Sequence, residues 1–172
     1  MLCATMQSMT STRLTAFAAP VVFEADYIRG LTELFEEKIV FNQLLGLKLL
    51  SVQPDRASAS MPMRGELVGH FAHNRVHGGV ISAALDTLGG LAALAAVGAR
   101  HMDEAPALRL QRFAKLGTID LRIDYLRPGI SEHFEMHAEV LRVGSRVANT
   151  RMAFHGADGK LLAVGAGVYI VS

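Results

Sequence analysis

The feature that most restricts what this chain can fold into is a 22-residue run from Gly78 to Ala99, in which Asp86 is the only charged residue. The run is long enough to cross a bilayer. It is mostly Ala and Gly, which insert poorly, and it carries a carboxylate near its middle with no aromatic belt on either side. It therefore reads as a helix buried on all sides in a globular domain, about His77 to Ala99. A helix apolar all round needs a sheet that wraps it. A chain of 172 residues holds one such domain. An apolar content of 51% suggests that part of its surface is covered by another subunit.

The remaining segments supply the sheet. Ile28, Leu31, Leu34 and Phe35 recur at helical spacing, which predicts a helix over Asp26–Val40 with Asp26 as its cap. Strands are expected over Leu47–Gln53 and Arg56–Met63, and a loop over Gly65–Val76. After the long helix the period changes to two. Ile119, Leu121, Ile123 and Tyr125 point one way; Asp120, Arg122 and Asp124 point the other. Further strands follow over Phe134–Val143, Val147–His155 and Leu161–Val171, with turns at Gly144-Ser145 and Asp158-Gly159. The expected class is α+β: helix, two strands, long helix, then a four-strand antiparallel meander. Residues 26–172 form the single domain, and residues 1–25 form an N-terminal extension. That extension has a weak cleavage-like match at Ala16–Ala18 but no basic start and no sustained apolar stretch, so a cytoplasmic location is expected.

Several function classes fall away on composition. Lys and Arg total 17 against 16 Asp and Glu, a net charge of +1, which builds no field for nucleic acid. Cys3 is the only cysteine, so a disulfide framework and a multi-cysteine metal site are excluded. Chemistry concentrates instead at His77-Gly78-Gly79 and at Asp86. The first N–H groups of a helix have no partner within it, and the helix dipole is positive there. Glycines at that point let a ligand approach the backbone, so developing negative charge on a carbonyl oxygen can be stabilised. A carboxylate in an apolar helix is costly to bury and is a candidate general base or nucleophile. On the residues alone a second reading stands level with this one: the glycines only allow tight packing, and Asp86 only bonds nearby backbone.

HGG followed by an acid eight residues after the first glycine resembles the hotdog-fold thioesterases of the PaaI type. Phe41–Leu47 (FNQLLGL), Leu116–Gly129 (LGTIDLRIDYLRPG) and the Asp-Gly hairpin with its closing strand resemble the YigI-like branch of bacterial acyl-CoA thioesterases. The resemblance spans about residues 27–172. It implies a sheet curled around the long helix, a homodimer joined sheet edge to sheet edge with active sites at the interface, and further stacking to a tetramer as an open alternative. It implies an acyl-CoA substrate, with coenzyme A part of the substrate and no cofactor, metal, nucleic acid or membrane partner. Carried onto this chain, the Gly78 N–H polarises the thioester carbonyl and Gly79 shapes the turn. Asp86, facing the partner subunit, activates water or attacks the carbonyl itself. His77 shapes the loop and is a candidate contact to the thioester. Thr118 falls where a related branch has a hydroxyl that places the water, a role that requires the strand end to bend, since alternation groups Thr118 with Asp120 and Arg122.

One departure is His70, seven residues before His77, where the family pattern has an amide. Gly69-His70-Phe71 resembles the signature of hotdog acyl-thioester dehydratases, so a dehydratase or hydratase using His70 and Asp86 is a rival, as is a non-catalytic acyl-CoA-binding domain. His70, His73 and His77 have spacing a metal can use, but they sit in a loop that ends at a helix start, and no metal site is expected. Arg127, Arg142, Arg146 and Arg151 are candidates for coenzyme A phosphates, with Arg146 favoured. Asn74 and Gly79 are further candidate substrate contacts. The acyl tunnel is expected along Leu44, Leu45, Phe71 and Leu88, which suits a medium or long fatty acyl or an aryl acyl group.

Overall fold

The computed structural model describes residues 21–172. Expectations that fall on residues 1–20, including the Ala16–Ala18 match, lie outside the described residues.

The long helix, here α3 (Gly78–Gly98), forms where its composition places it. Every residue from Leu88 to Gly98 is buried. The N-terminal half is not enclosed: Ser82, Ala83, Asp86 and Thr87 are only half-buried. Burial on all sides thus holds for one half of the helix. In the other half the sheet covers one side and leaves the face bearing Asp86 open. A single described helix is long and apolar enough to span a membrane, and it is this one, mostly buried in the fold.

The sheet has six strands: β1 (Lys48–Val52), β2 (Arg56–Pro62), β5 (Gly117–Tyr125), β6 (His133–Val143), β7 (Val147–Gly156) and β8 (Leu161–Ile170). Their order is β1-β2-β6-β7-β8-β5, and every pair is antiparallel. The expected four-strand meander is therefore corrected. β6, β7 and β8 do run as a meander, but β5 pairs with β8 at the far edge. The Arg127-Pro128-Gly129 segment does not turn β5 back onto β6. It crosses to β2, with the Gly129 carbonyl accepting from Val76 N–H and the Glu132 carbonyl accepting from Met63 N–H.

The segment expected as one helix to Val40 is three pieces: α1 (Ala25–Glu33), a π-helical turn over Leu34–Lys38, and α2 (Val40–Leu45). Asp26 does not cap it. Glu24 holds the cap position, and Asp26 in the first turn pairs with Arg29 at 2.6 Å. Tyr27, Leu31 and Phe35 point inward along α1 and its π turn and are fully buried. A helix not expected from the sequence, α4 (Pro106–Gln111), packs on α1. Its Arg109 is completely buried, with the guanidinium 4.3 Å over the Tyr27 ring and 2.5 Å from the Glu24 carboxylate. That bond holds the Glu24 carboxyl below its usual range. Pro106 in the first turn was its signal, since proline fits where no helical N–H is needed. Six residues are too few for periodicity to show.

The expected loop over Gly65–Val76 contains a small hairpin, β3 (Val68–His70) against β4 (Arg75–Val76), turned by Asn74 at φ +46°. A Cβ on Gly69 would lie 2.6 Å from the His77 Cα, so only glycine lets the hairpin press against the start of α3.

Candidate functional site

His77 occupies the N-cap of α3, and its Nδ1 accepts from the Gly79 N–H at 2.9 Å. The Val80 and Ile81 N–H groups both reach the His77 carbonyl. Among the described residues the Gly78 N–H has no acceptor. The helix start thus offers one donor, and the cap selects which one. The Gly78 carbonyl is fixed by the Tyr125 hydroxyl, which donates at 2.8 Å, and by the Ser82 hydroxyl at 3.2 Å. Gly78, Tyr125, Arg75 and Arg127 line a cleft of 420 Å³ at this end of the helix. Tyr125 was not singled out from the sequence, where it reads only as the last alternating residue of a strand.

Asp86 lies farther along the same helix. Its Oδ1 accepts from the Thr118 hydroxyl at 2.8 Å. Strand alternation alone turns Thr118 away from the helix, and a β-bulge reverses this. Thr118 pairs with Tyr169 and Asp120 pairs with Val168, so Ile119 is the extra residue. It swings outward, 58% exposed, instead of joining Leu121 and Ile123 on the inner face. The bend that the Thr118 role required is this bulge. The Tyr169 hydroxyl donates to the Asp86 backbone carbonyl at 3.0 Å, and burial, followed by the nearby Asp86 carboxylate, pushes that phenol well above its usual pKa. It stays a neutral donor and anchors the turn that carries Asp86.

Asp86 and Thr118 open on a cavity of 280 Å³, lined chiefly by Leu34, Phe35, Ile39, Phe41, Leu91, Phe113 and Leu116. The tunnel residues expected from the sequence do not line it. Leu45 and Leu88 are buried elsewhere in the core, while Leu44 and Phe71 are exposed, Phe71 at 91%. The reason is helical phase: Ala83, Asp86, Thr87, Gly90 and Leu91 share the cavity face, and Leu88 lies on the sheet side. Asn42 was missed. Fully buried, its amide donates to the Phe35 carbonyl at 2.8 Å and the Thr87 hydroxyl at 3.1 Å, and its Oδ1 lacks a partner. Polar residues in the otherwise apolar FNQLLGL stretch were the available signal, although the sequence does not separate buried Asn42 from exposed Gln43.

The other candidates are dispersed. His70 stacks on His73 with ring centroids 5.1 Å apart and lines neither cavity. Asn74 is exposed and serves the hairpin turn. Among the described residues no three His, Cys, Asp or Glu side chains gather as metal ligands. Arg127 donates to the Leu161 carbonyl at 2.8 Å at the edge of the Gly78 cleft, and Arg151 pairs with Glu139 at 2.8 Å on the outer face of the sheet. Arg142 and Arg146 are exposed near the Gly144-Ser145 turn. That turn lies beside the C-terminal end of α3, where Arg100 donates to the Val143 carbonyl. The helix separates it from Gly78 by about 30 Å.

Residues 73–163 match the family model described as "Thioesterase superfamily". The chain is 35% identical over 139 residues to a medium/long-chain acyl-CoA thioesterase, YigI, of Escherichia coli, a match covering 81% of this chain and 90% of the relative. The corresponding protein of Salmonella typhimurium is 36% identical over the same share of each chain. A crystal structure from Shewanella oneidensis, of a protein related to the thioesterase superfamily, aligns with a TM-score of 0.81 at 37% identity. It covers 86% of this chain and 97% of that one.

Proposed function

The chain belongs to the thioesterase superfamily, and we propose that it hydrolyses medium- to long-chain acyl-CoA to free acid and coenzyme A, using water and no cofactor. The observation that carries this reading is the Asp86–Thr118 pair at the mouth of an apolar cavity. A carboxylate held by a hydroxyl is suited to take a proton from water, and the cavity walls suit an alkyl chain and repel a dicarboxylic one. Water attacks the thioester carbon as Asp86 takes its proton. The carbonyl oxygen gains negative charge and accepts from the Gly78 N–H. The C–S bond then breaks, and the proton returns from Asp86 to the departing thiolate.

Gly78 and Asp86 are eight residues apart on one helix, about 12 Å along its axis, and they line different cavities. We therefore place each complete site between two copies of the chain. β5 is an edge strand, with Thr118 beside Asp86 at one end and Tyr125 beside Gly78 at the other. Two-fold antiparallel pairing of β5 with the β5 of a second copy sets Asp86 of one chain against Gly78 of the other. Ile119, Tyr125 and Leu126, each at least half exposed, lie along or just past this edge. Within one chain His70 does not line the Asp86 cavity, so the rival dehydratase reading, like the hydrolytic one, draws its second group from another copy; hydration of an enoyl-CoA in place of thiol release would favour it.

Free-thiol release from a panel of acyl-CoAs, wild type beside Asp86→Asn, tests the proposal. The expected result is release by the wild type and its near-complete loss in the variant. No release from any acyl-CoA overturns the activity; near-full activity in Asp86→Asn removes Asp86 from the mechanism.

A further inference from the structure

The cavity beside Asp86 does not end in the core. Its walls include Leu34, the first residue of the π turn after α1, and Phe113, in the 3-10 turn after α4 (Arg112–Lys115). The same two side chains line a second hollow, of 700 Å³, in the groove between α1 and α4. The remaining walls of that groove include Gly30, Ala107, Leu110 and Ala114, with Lys38 as a charged residue at its border. Two half-buried side chains are therefore the shared boundary between an apolar cavity and an apolar groove.

The surroundings fix the helices but not this boundary. Arg109, buried against Glu24 and Tyr27, fastens α4 to α1. At Gly30 the approach is so close that a Cβ would lie 2.2 Å from a Leu110 methyl carbon. Leu34 and Phe113 stand beyond these clamps, each on a non-α turn. Such turns interrupt the regular ladder and recur at functional positions. The inner cavity has 280 Å³. An acyl chain longer than this cavity has to displace the boundary and enter the groove.

We infer that Leu34 and Phe113 form the wall that ends the acyl pocket and sets the acyl length the enzyme prefers. The inference rests on the thioesterase reading above and specifies its substrate range. Truncating either side chain joins the pocket to the groove. Enlarging Leu34 shortens the pocket.

The test is kcat/KM across saturated acyl-CoAs from hexanoyl to hexadecanoyl for the wild type, Leu34→Ala, Phe113→Ala and Leu34→Phe. Either alanine variant is expected to raise the hexadecanoyl-to-octanoyl ratio by about tenfold or more, the scale on which pocket contacts discriminate chain carbons. Leu34→Phe is expected to move the optimum to shorter chains, and it keeps the test decisive if an alanine variant fails to fold. An unchanged length profile in the folded variants, with hydrolysis retained, overturns the wall and leaves the thioesterase reading standing. A wild type that hydrolyses no acyl-CoA overturns both.

Discussion

Replacing Gly78 by proline removes one hydrogen-bond donor and asks little else of the fold. Gly78 is the first residue of α3, the helical position where proline is best tolerated because its N–H has no helical partner. The residue before a proline must be extended, and His77 already is, with φ −67° and ψ 136°. A Cβ at Gly78 would lie 3.4 Å from the nearest Tyr125 ring carbon, an ordinary contact. The variant should therefore fold and keep its thermal transition. What it loses is the donor at the helix start that has no acceptor among the described residues, since the Gly79 N–H is held by His77. Deleting one such donor to a developing oxyanion costs about 2.7–4 kcal/mol, or roughly 10²–10³ in kcat. Gly78→Ala is the comparison, because it adds the same Cβ and keeps the N–H: its own partial loss measures crowding of the approach, and the further loss in Gly78→Pro measures the donor. Thiol release from dodecanoyl-CoA, beside circular dichroism and a melting curve, gives the comparison. A folded Gly78→Pro enzyme within tenfold of the wild type, or an alanine variant equally impaired, would refute the assignment of that N–H.

If each site is built by two chains, Asp86→Asn and Gly78→Pro should complement when unfolded together and refolded as a mixture. Random pairing makes half the dimers mixed, each with one intact site of two, so about a quarter of wild-type activity should return; activity no greater than that of the separate parents places both groups in one chain. Thr118→Val should lower kcat by about tenfold with little change in stability, because the hydroxyl is exposed and acts through Asp86, and Thr118→Ser should recover most of it. If the serine variant is as slow as the valine one, the hydroxyl is not the operative group. His155 has its pKa lowered by burial and then by the neighbouring His137. The unfolded chain therefore takes up that proton first as pH falls, so the His155 contribution to stability drops below about pH 6.5 and levels off below the folded value. His155→Gln should flatten the fall in melting temperature between neutral and mildly acidic pH; an unchanged slope assigns it to other groups.

The long helix, its glycine-rich start and the inward strands were legible because each is written in a short local pattern. What was not legible depends on contacts distant in sequence. Nothing between Leu121 and Tyr125 tells whether β5 pairs with β6 or β8, since antiparallel neighbours present the same alternation. The bulge at Ile119 is invisible to a period of two, although it decides which way Thr118 points. Cavity walls were misassigned for a related reason. Leu88 and Leu91 are equally apolar, and only the position of the sheet shows that one faces the core and the other the cavity.

The most consequential gap between sequence and structure lies in the HGG-to-Asp86 spacing itself. In the sequence it looks like a single motif, as if one segment supplied the electrophile-binding donor and the base together. On the helix that spacing becomes about 12 Å, too far for both groups to touch one carbonyl when Asp86 attacks directly. The proposed pairing of antiparallel edges resolves this. β5 runs from Thr118, bonded to Asp86, to Tyr125, bonded to the Gly78 carbonyl, so the strand carries one half of the proposed chemistry at each end. A two-fold axis through its middle exchanges those ends. In the proposed dimer the spacing on the helix is matched by the length of the strand, and the pairing that would cover the exposed Ile119 edge would complete two sites at once. On this proposal a single chain satisfies the motif and still lacks a site, which is why the mixing experiment, more than any single substitution, tests the architecture directly.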